Sequence, residues 1–251
     1  MELVHGVDRL RPDAGPVFVV VGVFDGLHLG HAYLLTHLVS EASARAARPT
    51  VITFDHHPDE VLVGAAPPLL LDPAERLERL EAAGVEVTVV QHFDAPLRAT
   101  PYDIFVERIR SRTRLAGFLM TPDAAFGFER RGTPTALASL GARDGFEVVV
   151  IEPFTVDGEE VRSSTIRAAI AAGDLTAAGA LLGRPVTLSG IVGDRGDGGS
   201  RLRFELPMAV PPDGEYAADV DGMPLTLRLT GGDAYVVGPI ANRRVTVALR
   251  A

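Results

Sequence analysis

The 251-residue chain contains no cysteine. Disulfides, thiolate zinc sites and cysteine nucleophiles are therefore excluded, and any catalysis falls to His, Asp, Glu, Ser, Thr, Arg or a bound metal. No stretch approaches the ~20 consecutive apolar residues of a membrane span. The opening MELVHGVDRLRPDAG has no apolar core of signal-peptide length. Together with the missing cysteine, which fits a reducing compartment, this gives the expectation of a cytoplasmic protein. Positive charge is also in deficit. A net charge of −9 argues against a protein that coats nucleic acid or inserts at an anionic membrane. There is no internal repeat and no low-complexity tail.

The residues that are present suit a soluble protein with a sizeable core: 47% are hydrophobic and 23% charged, over a length comfortable for two domains. Val17 to Val23 is an unbroken apolar run, as in a strand buried on both faces of a parallel sheet. Helical spacing follows from His31 to Ala47, with Pro49 as the expected stop. Further strands are expected at Thr50–Phe54, Val85–Val90, Leu115–Met120 and Phe146–Ile151. Helices are expected at Leu71–Ala83, Tyr102–Arg110 and Thr135–Gly141. Asp72 reads as an N-cap, Pro73 as the first helical residue and Gly84 as the stop. The alternation predicts an α/β domain with a mostly parallel sheet. Near Gly183 the pattern changes. Two short helices around Gly173-Asp174 give way to six short strands at Val186–Val192, Arg201–Leu206, Glu215–Val220, Leu225–Leu229, Ala234–Val237 and Arg244–Leu249. The turn clusters DRGDGGS, PPDG, DG, TGG and GP separate them, predicting a small antiparallel barrel or sandwich.

The loop GVFDGLHLGH, Gly22 to His31, draws the functional reading. Ligands of open parallel sheets bind at the carboxyl ends of strands. Here the loop leaves such an end and enters a helix N-terminus, whose free N–H groups and dipole attract phosphate. Gly26 and Gly30 permit close backbone approach. His28 and His31, three apart, face one side once the loop turns helical. Two imidazoles at a helix terminus suit attack of a phosphate oxygen on the α-phosphorus of a nucleoside triphosphate. That chemistry needs positioning and charge stabilisation more than a strong base. Taken alone, H-x-x-H equally fits a surface or capping pair, or a weak metal pair.

The motif resembles G-N-F-D-G-x-H-x-G-H of the bacterial bifunctional riboflavin kinase/FAD synthetase family, within the HxGH nucleotidylyltransferase superfamily. Thr53-Phe54-Asp55-His56-His57-Pro58 resembles the family's T-F-D-P-H-P. Asp123, Phe126 and Gly127 fit its G-x-D/N-F-x-F-G, and Arg131-Gly132 fits the step after it. Ser163-Ser164, Ile166 and Arg167 fit I-S-S-T-x-I-R, and Leu181-Leu182-Gly183-Arg184-Pro185 closes a match over roughly residues 15 to 192. The resemblance implies a Rossmann-like nucleotidylyltransferase domain at 1–184 and a riboflavin-kinase-like barrel at 185–251. It implies ATP with Mg²⁺, and FMN as the phosphate-bearing acceptor converted to FAD. It places His28, His31 and Arg167 in catalysis. Gly22, Phe24, Asp25, Gly30, Ser163 and Ser164 would line the nucleotide, and Phe54, Asp55, His57, Asp123 and Phe126 the flavin. No protein-held metal, nucleic acid or membrane partner is implied, and oligomeric state is open. Alone, Ser163-Ser164 also reads as an ordinary N-cap.

Several departures fall in the acceptor half. Val23 stands for the family's asparagine, and His56 for its proline. Thr121-Pro122-Asp123-Ala124-Ala125 stands for G-x-D-F-R, so Ala124 removes an aromatic surface. Arg162 stands for the first serine. In the barrel, Arg201–Pro207 carries no P-T-A-N, the kinase's nucleotide and metal motif, so kinase activity is expected to be lost. Pro212-Asp213-Gly214-Glu215-Tyr216 keeps the family's P-x-G-x-Y. Alternatives are adenylyl transfer to a different phosphate-bearing acceptor, or non-catalytic flavin or nucleotide binding. Asp55, His56, His57 and Asp59 form a possible metal cluster, but the D-P-H-P match accounts for most of it. His37 and His92 have no partner readable from sequence. Glu129-Arg130-Arg131 reads as a solvated loop edge from which Arg131 can reach phosphate.

Overall fold

A computed structural model of the chain describes residues 1–196, 199–238, 240–241 and 243–250. Asp197 and Gly198 of the DRGDGGS turn, and Pro239 of the GP turn, lie outside the described residues. In chain order the first elements are β1 (Glu2–His5), β2 (Val17–Val21), α1 (Leu29–Ala44), β3 (Arg48–Phe54), α2 (Pro58–Leu62), α3 (Pro73–Ala82) and β4 (Val87–Gln91). There follow α4 (Ala95–Arg98), α5 (Tyr102–Arg110), β5 (Leu115–Met120), α6 (Pro134–Asp144), β6 (Glu147–Val150) and the small hairpin β7 (Thr155–Val156) and β8 (Glu159–Glu160). The last stretch holds α7 (Ser163–Ala171), α8 (Leu175–Leu182), β9 (Thr187–Gly196), β10 (Gly199–Arg203), β11 (Gly214–Val220), β12 (Met223–Thr230), β13 (Asp233–Val237) and β14 (Arg244–Leu249).

The chain forms two compact units that interleave in sequence. One comprises Met1–Phe24, Gly30–Pro67 and Leu77–Phe154; the other comprises Asp25–Leu29, Pro68–Arg76 and Thr155–Ala251.

The first unit is built on a six-stranded sheet in the order β1-β4-β3-β2-β5-β6, with every pairing parallel. The central strands are buried almost throughout, as their unbroken valine-rich runs require. Val19, Ile52, Val89, Phe105, Phe118 and Leu137 belong to one apolar cluster, in which each buried side chain stabilises by about 1.5–3 kcal/mol. From β2 the chain builds outward through β3 and β4, then returns to place β5 on the other flank of β2. The topological switch therefore lies between β2 and β5, where open α/β sheets bind ligands at the strands' carboxyl ends.

Local chemistry accounts for the differences from the sequence expectation. β2 stops at Val21 although apolar residues continue to Val23. Phe24 takes a left-handed φ of 54°, and the Thr53 hydroxyl, rather than a strand partner, donates to the Val23 carbonyl (3.0 Å). α1 ends at Ala44, not at Pro49. Ala46 adopts φ 48° and the Ala47 N–H returns to the Ala42 carbonyl (2.9 Å), so Pro49 already lies inside β3. β1 has no counterpart in the sequence reading. It is a four-residue edge strand with only Val4 buried, too short to show a pattern.

In the second unit, β9–β14 close into an antiparallel barrel in the order β10-β13-β12-β11-β14-β9. Burial alternates along β10, β13 and β14, the period-two signature of a sheet with one core face. The P-x-G-x-Y turn is closed by the Tyr216 hydroxyl, which donates to the Pro212 carbonyl (2.6 Å). No helix among the described residues is long and apolar enough to cross a membrane.

Candidate active site

The loop after β2 is shaped by two glycines. A Cβ on Gly22 would lie 3.1 Å from the Phe24 ring, and one on Gly26 would lie 2.9 Å from Leu70 Cδ1. Gly26 also has φ +83°, a conformation side chains rarely adopt. Phe24 is buried, and its ring packs 5.1 Å from that of His31 in the first turn of α1. Gly30 precedes His31 in the same turn.

Asp25 organises its surroundings in the second unit. It is 4% exposed, and its carboxylate accepts the Leu70 N–H (3.0 and 3.1 Å), the Leu71 N–H (3.2 Å) and the Arg167 guanidinium. The Arg167 Nε also donates to the Pro68 carbonyl (2.8 Å), which fixes the plane of the guanidinium. The Ser163 hydroxyl donates to the Asp25 carbonyl (3.1 Å). Arg184 donates to the Gly26 carbonyl (2.7 Å). Asp25 is thus in one hydrogen-bonded group with Ser163 and Arg167, each more than 130 residues away in sequence. The Leu70 and Leu71 amides and Arg184 were not assigned roles from sequence. Backbone donors leave no sequence signal, and Arg184 carried one only through the L-L-G-R-P match.

His28 is buried, and it is close enough to Arg184 and Arg167 to feel both charges. Burial first, then those two guanidiniums, push its imidazole down to about 4, so it is neutral at pH 7. All 24 basic residues of the chain are arginine. The cations that meet here are therefore planar forks suited to phosphate oxygens. Arg162, not a serine, is the N-cap of α7, and it makes no side-chain capping bond. Ser163 and the exposed Ser164 sit inside the first turn, so the ordinary N-cap reading of this pair does not hold.

The remaining predicted residues are in the first unit. Phe54 meets Phe93 edge-to-face at 5.2 Å. Asp55 Oδ1 accepts the His56 N–H (2.8 Å) and the Phe93 N–H (3.2 Å), and Oδ2 pairs with His92 Nδ1 (2.6 Å). Burial opposes ionisation of Asp55, but the His92 hydrogen bond and the two N–H donors outweigh it and hold the carboxyl below its usual range. His92 therefore has a partner that the sequence did not reveal, and so does His37, whose Nδ1 lies 3.0 Å from the Tyr33 carbonyl. His57 caps α2, its Nδ1 accepting the Asp59 N–H (3.2 Å). Asp123 is exposed on the segment after β5 and accepts from Thr121 Oγ1 (2.8 Å). Phe126 packs on Phe105 and Phe118 at 5.7 and 5.6 Å, facing the core cluster. Arg131 is exposed and ion-paired with Glu129 (2.6 Å). β2 and β5 are neighbours, so Gly22–Phe24 and Thr121–Phe126 leave the sheet on either side of the topological switch.

The family model of FAD synthetase matches residues 10–165. The bifunctional riboflavin kinase/FMN adenylyltransferase of Haemophilus influenzae is 32% identical over 194 residues, covering 76% of this chain and 63% of that protein. The Escherichia coli K12 protein of the same name is 31% identical over 237 residues, 89% of this chain and 74% of that one. The chain spans somewhat less than two thirds of the Haemophilus relative. The crystal structure of a macrolide-efflux protein from Streptococcus pneumoniae superposes with a TM-score of 0.79 over 99% of this chain and 88% of that one; at 22% identity, the likeness is of fold alone. With a family match over more than half its length, the chain belongs to the FAD synthetase family.

Proposed function

We propose that the chain is an FMN adenylyltransferase: it transfers AMP from ATP to the phosphate of FMN, and it lacks riboflavin kinase activity. The observation that carries this reading is the Asp25–Arg167 pair, in which a buried carboxylate fixes a guanidinium at the start of α7 next to a neutral, buried His28. An FMN phosphate oxygen bonds to the α-phosphorus of ATP as the bond from that phosphorus to the β-bridging oxygen breaks, and pyrophosphate leaves with the electron pair. Arg167 and Arg184 offset charge on the phosphates, and the start of α7 adds backbone N–H groups and the Ser164 hydroxyl as hydrogen-bond donors, while Ser163 is held by the Asp25 carbonyl. His28 and His31 donate to phosphate oxygens as charge builds in the transition state. Asp25 acts through Arg167 rather than on the nucleotide, since its oxygens are already taken. Gly22, Phe24 and Gly30 shape the loop.

The residues around His28 do not fit a protein-held Mg²⁺. Asp25, the carboxylate of this group, is engaged by three donors, whereas Mg²⁺ demands an oxygen shell. Mg²⁺ would enter bound to the triphosphate. Residues 1–184 would form the transferase domain and 185–251 the barrel domain. The flavin is assigned to the strand ends bearing Phe54, Asp55, His57, Asp123 and Phe126.

A second reading, another phosphate-bearing acceptor, is favoured by Ala124 and by the Phe126 ring facing the core. Purified protein with ATP and Mg²⁺, given FMN in one tube and riboflavin in another, tests both readings. FAD from FMN with no product from riboflavin is the expected result. Phosphorylated riboflavin would overturn the loss of the kinase. No product in either tube would sink the first reading, and pyrophosphate release across a panel of phosphate monoesters then tests the second.

A further inference from the structure

We infer that Asp55, His56 and His92 form a binding site for a divalent transition-metal ion of the zinc type at the carboxyl ends of β3 and β4. The two strands end in register, with Phe54 opposite Gln91, so the next residues, Asp55 and His92, emerge side by side. The Asp55 N–H is tied to the Gln91 carbonyl (3.2 Å), which locks the two strand ends together. The carboxylate is also fixed. Its Oδ1 accepts two backbone N–H groups, from His56 and Phe93, and this aims Oδ2 at the His92 ring. The His56 and His92 rings lie 5.9 Å apart and nearly perpendicular. One ligating atom of each of the three residues lies within 4.8 Å of the other two.

A tetrahedral zinc ion with bonds of about 2.0–2.2 Å needs its ligand atoms about 3.4 Å apart. The two imidazoles have side chains 50% and 62% exposed, so they are able to swing inward that far while the carboxylate stays in place. Two imidazoles and a carboxylate select zinc, cobalt or nickel over magnesium or calcium, which prefer all-oxygen shells. Three protein ligands leave a fourth position for water. Glu60 Oε2 lies 3.4 Å from His56 Nδ1 and is placed to orient that ring. An ordinary exposed ion pair explains His92 with Asp55, but not the convergence of a second imidazole on them. Neighbouring His57 is outside the set because its Nδ1 caps α2. Asp55 is also among the residues assigned to the flavin, and the two readings are told apart because metal binding is measured without flavin or turnover.

The test uses tag-free, chelator-stripped full-length protein, titrated with Zn²⁺ against a chromophoric chelator and with Co²⁺ by visible absorption. The expected result is one equivalent of tightly held Zn²⁺ and a four-coordinate Co²⁺ spectrum. His56→Ala, His92→Ala and Asp55→Asn should each weaken binding about 10- to 100-fold, as loss of a ligand or its support does. His5→Gln, at an exposed position on β1, should leave binding unchanged. Circular dichroism on each variant checks that the fold is kept. A protein that holds no Zn²⁺ against the chelator would overturn the inference. So would Zn²⁺ binding that survives His56→Ala/His92→Ala, which would put the metal on other histidines.

Discussion

The parallel sheet and the closed barrel handle buried polarity differently. In the sheet, the buried polar side chains of the strands are three threonines and Gln91, uncharged groups among apolar neighbours, and the ionisable residues appear where strands end: Asp55 after β3, His92 after β4, Asp123 after β5. In the barrel unit, polar side chains go inside and hold something. Glu75 is 9% exposed, and its carboxylate accepts from Thr187 Oγ1 (3.2 Å) and Ser189 Oγ (2.8 Å). Because a carboxylate only accepts, Thr246 must donate to Ser189 (2.8 Å). Asp72 caps the start of α3 through the Ala74 N–H (2.9 Å) and pairs with Arg244 of β14. Leu69 exchanges backbone hydrogen bonds with Pro207 and Ala209 (both 2.8 Å). The segment 68–76 is therefore mounted on the barrel, and the same segment supplies the amides that clamp Asp25. A sheet presents residues, whereas this barrel holds the loop whose Pro68 carbonyl and Leu70 and Leu71 amides fix Arg167 and Asp25. That gives the barrel a role even without the kinase motif.

The comparison breaks most sharply at the histidines. His31→Ala and His28→Asn should each lower kcat/KM for FAD formation by about 10²- to 10⁴-fold, with circular dichroism unchanged. Turnover within a few-fold of the parent would remove both from the chemistry. Next in size is Asp25→Ala, which strips a buried carboxylate from Arg167 and from two amides. A loss of about 3 kcal/mol in urea unfolding is expected, together with loss of activity. The barrel mount is third. Ser189→Ala should cost about 2 kcal/mol by leaving Glu75 short of a donor. Adding Glu75→Leu and Thr187→Val should recover much of it, because replacing a buried acceptor together with its hydroxyl donors is milder than orphaning it. If the triple variant is worse than the single, Glu75 does more than hold β9.

A pH slope in stability is also expected. The folded-state value of His28, about 4, lies below its unfolded value of about 6.5. Between these values the unfolded chain binds the extra proton, so stability is full above pH 6.5 and falls as pH drops toward 4. His28→Asn should flatten that part of the stability profile in urea titrations at successive pH values. An unchanged slope would mean that His28 is not held neutral.

Much of this was legible before the fold. Leu115–Met120, Tyr102–Arg110 and Arg244–Leu249 begin and end where their patterns do. Asp72 caps the helix expected of it, since an N-cap acts within three residues; Asp174, read only as lying between two short helices, caps the second of them. β1 was missed because an edge strand with one buried residue has no periodicity to read. Barrel and sandwich could not be told apart. Closure rests on β9 pairing with both β10 and β14, and the β9–β14 contact spans more than 50 residues.

The family, the two kinds of sheet and the loop of glycines and histidines are readable in the order of residues along the chain. All of these follow from local period, turn chemistry and ordered motifs. That Asp25 holds Arg167, that Glu75 ties segment 68–76 to β9 and that His92 joins Asp55 emerges with the folded molecule. Each is a contact between side chains tens to more than a hundred residues apart. Local propensity does not encode such pairings; burial forces partners on Asp25 and Glu75, and the register of β3 against β4 brings His92 to Asp55.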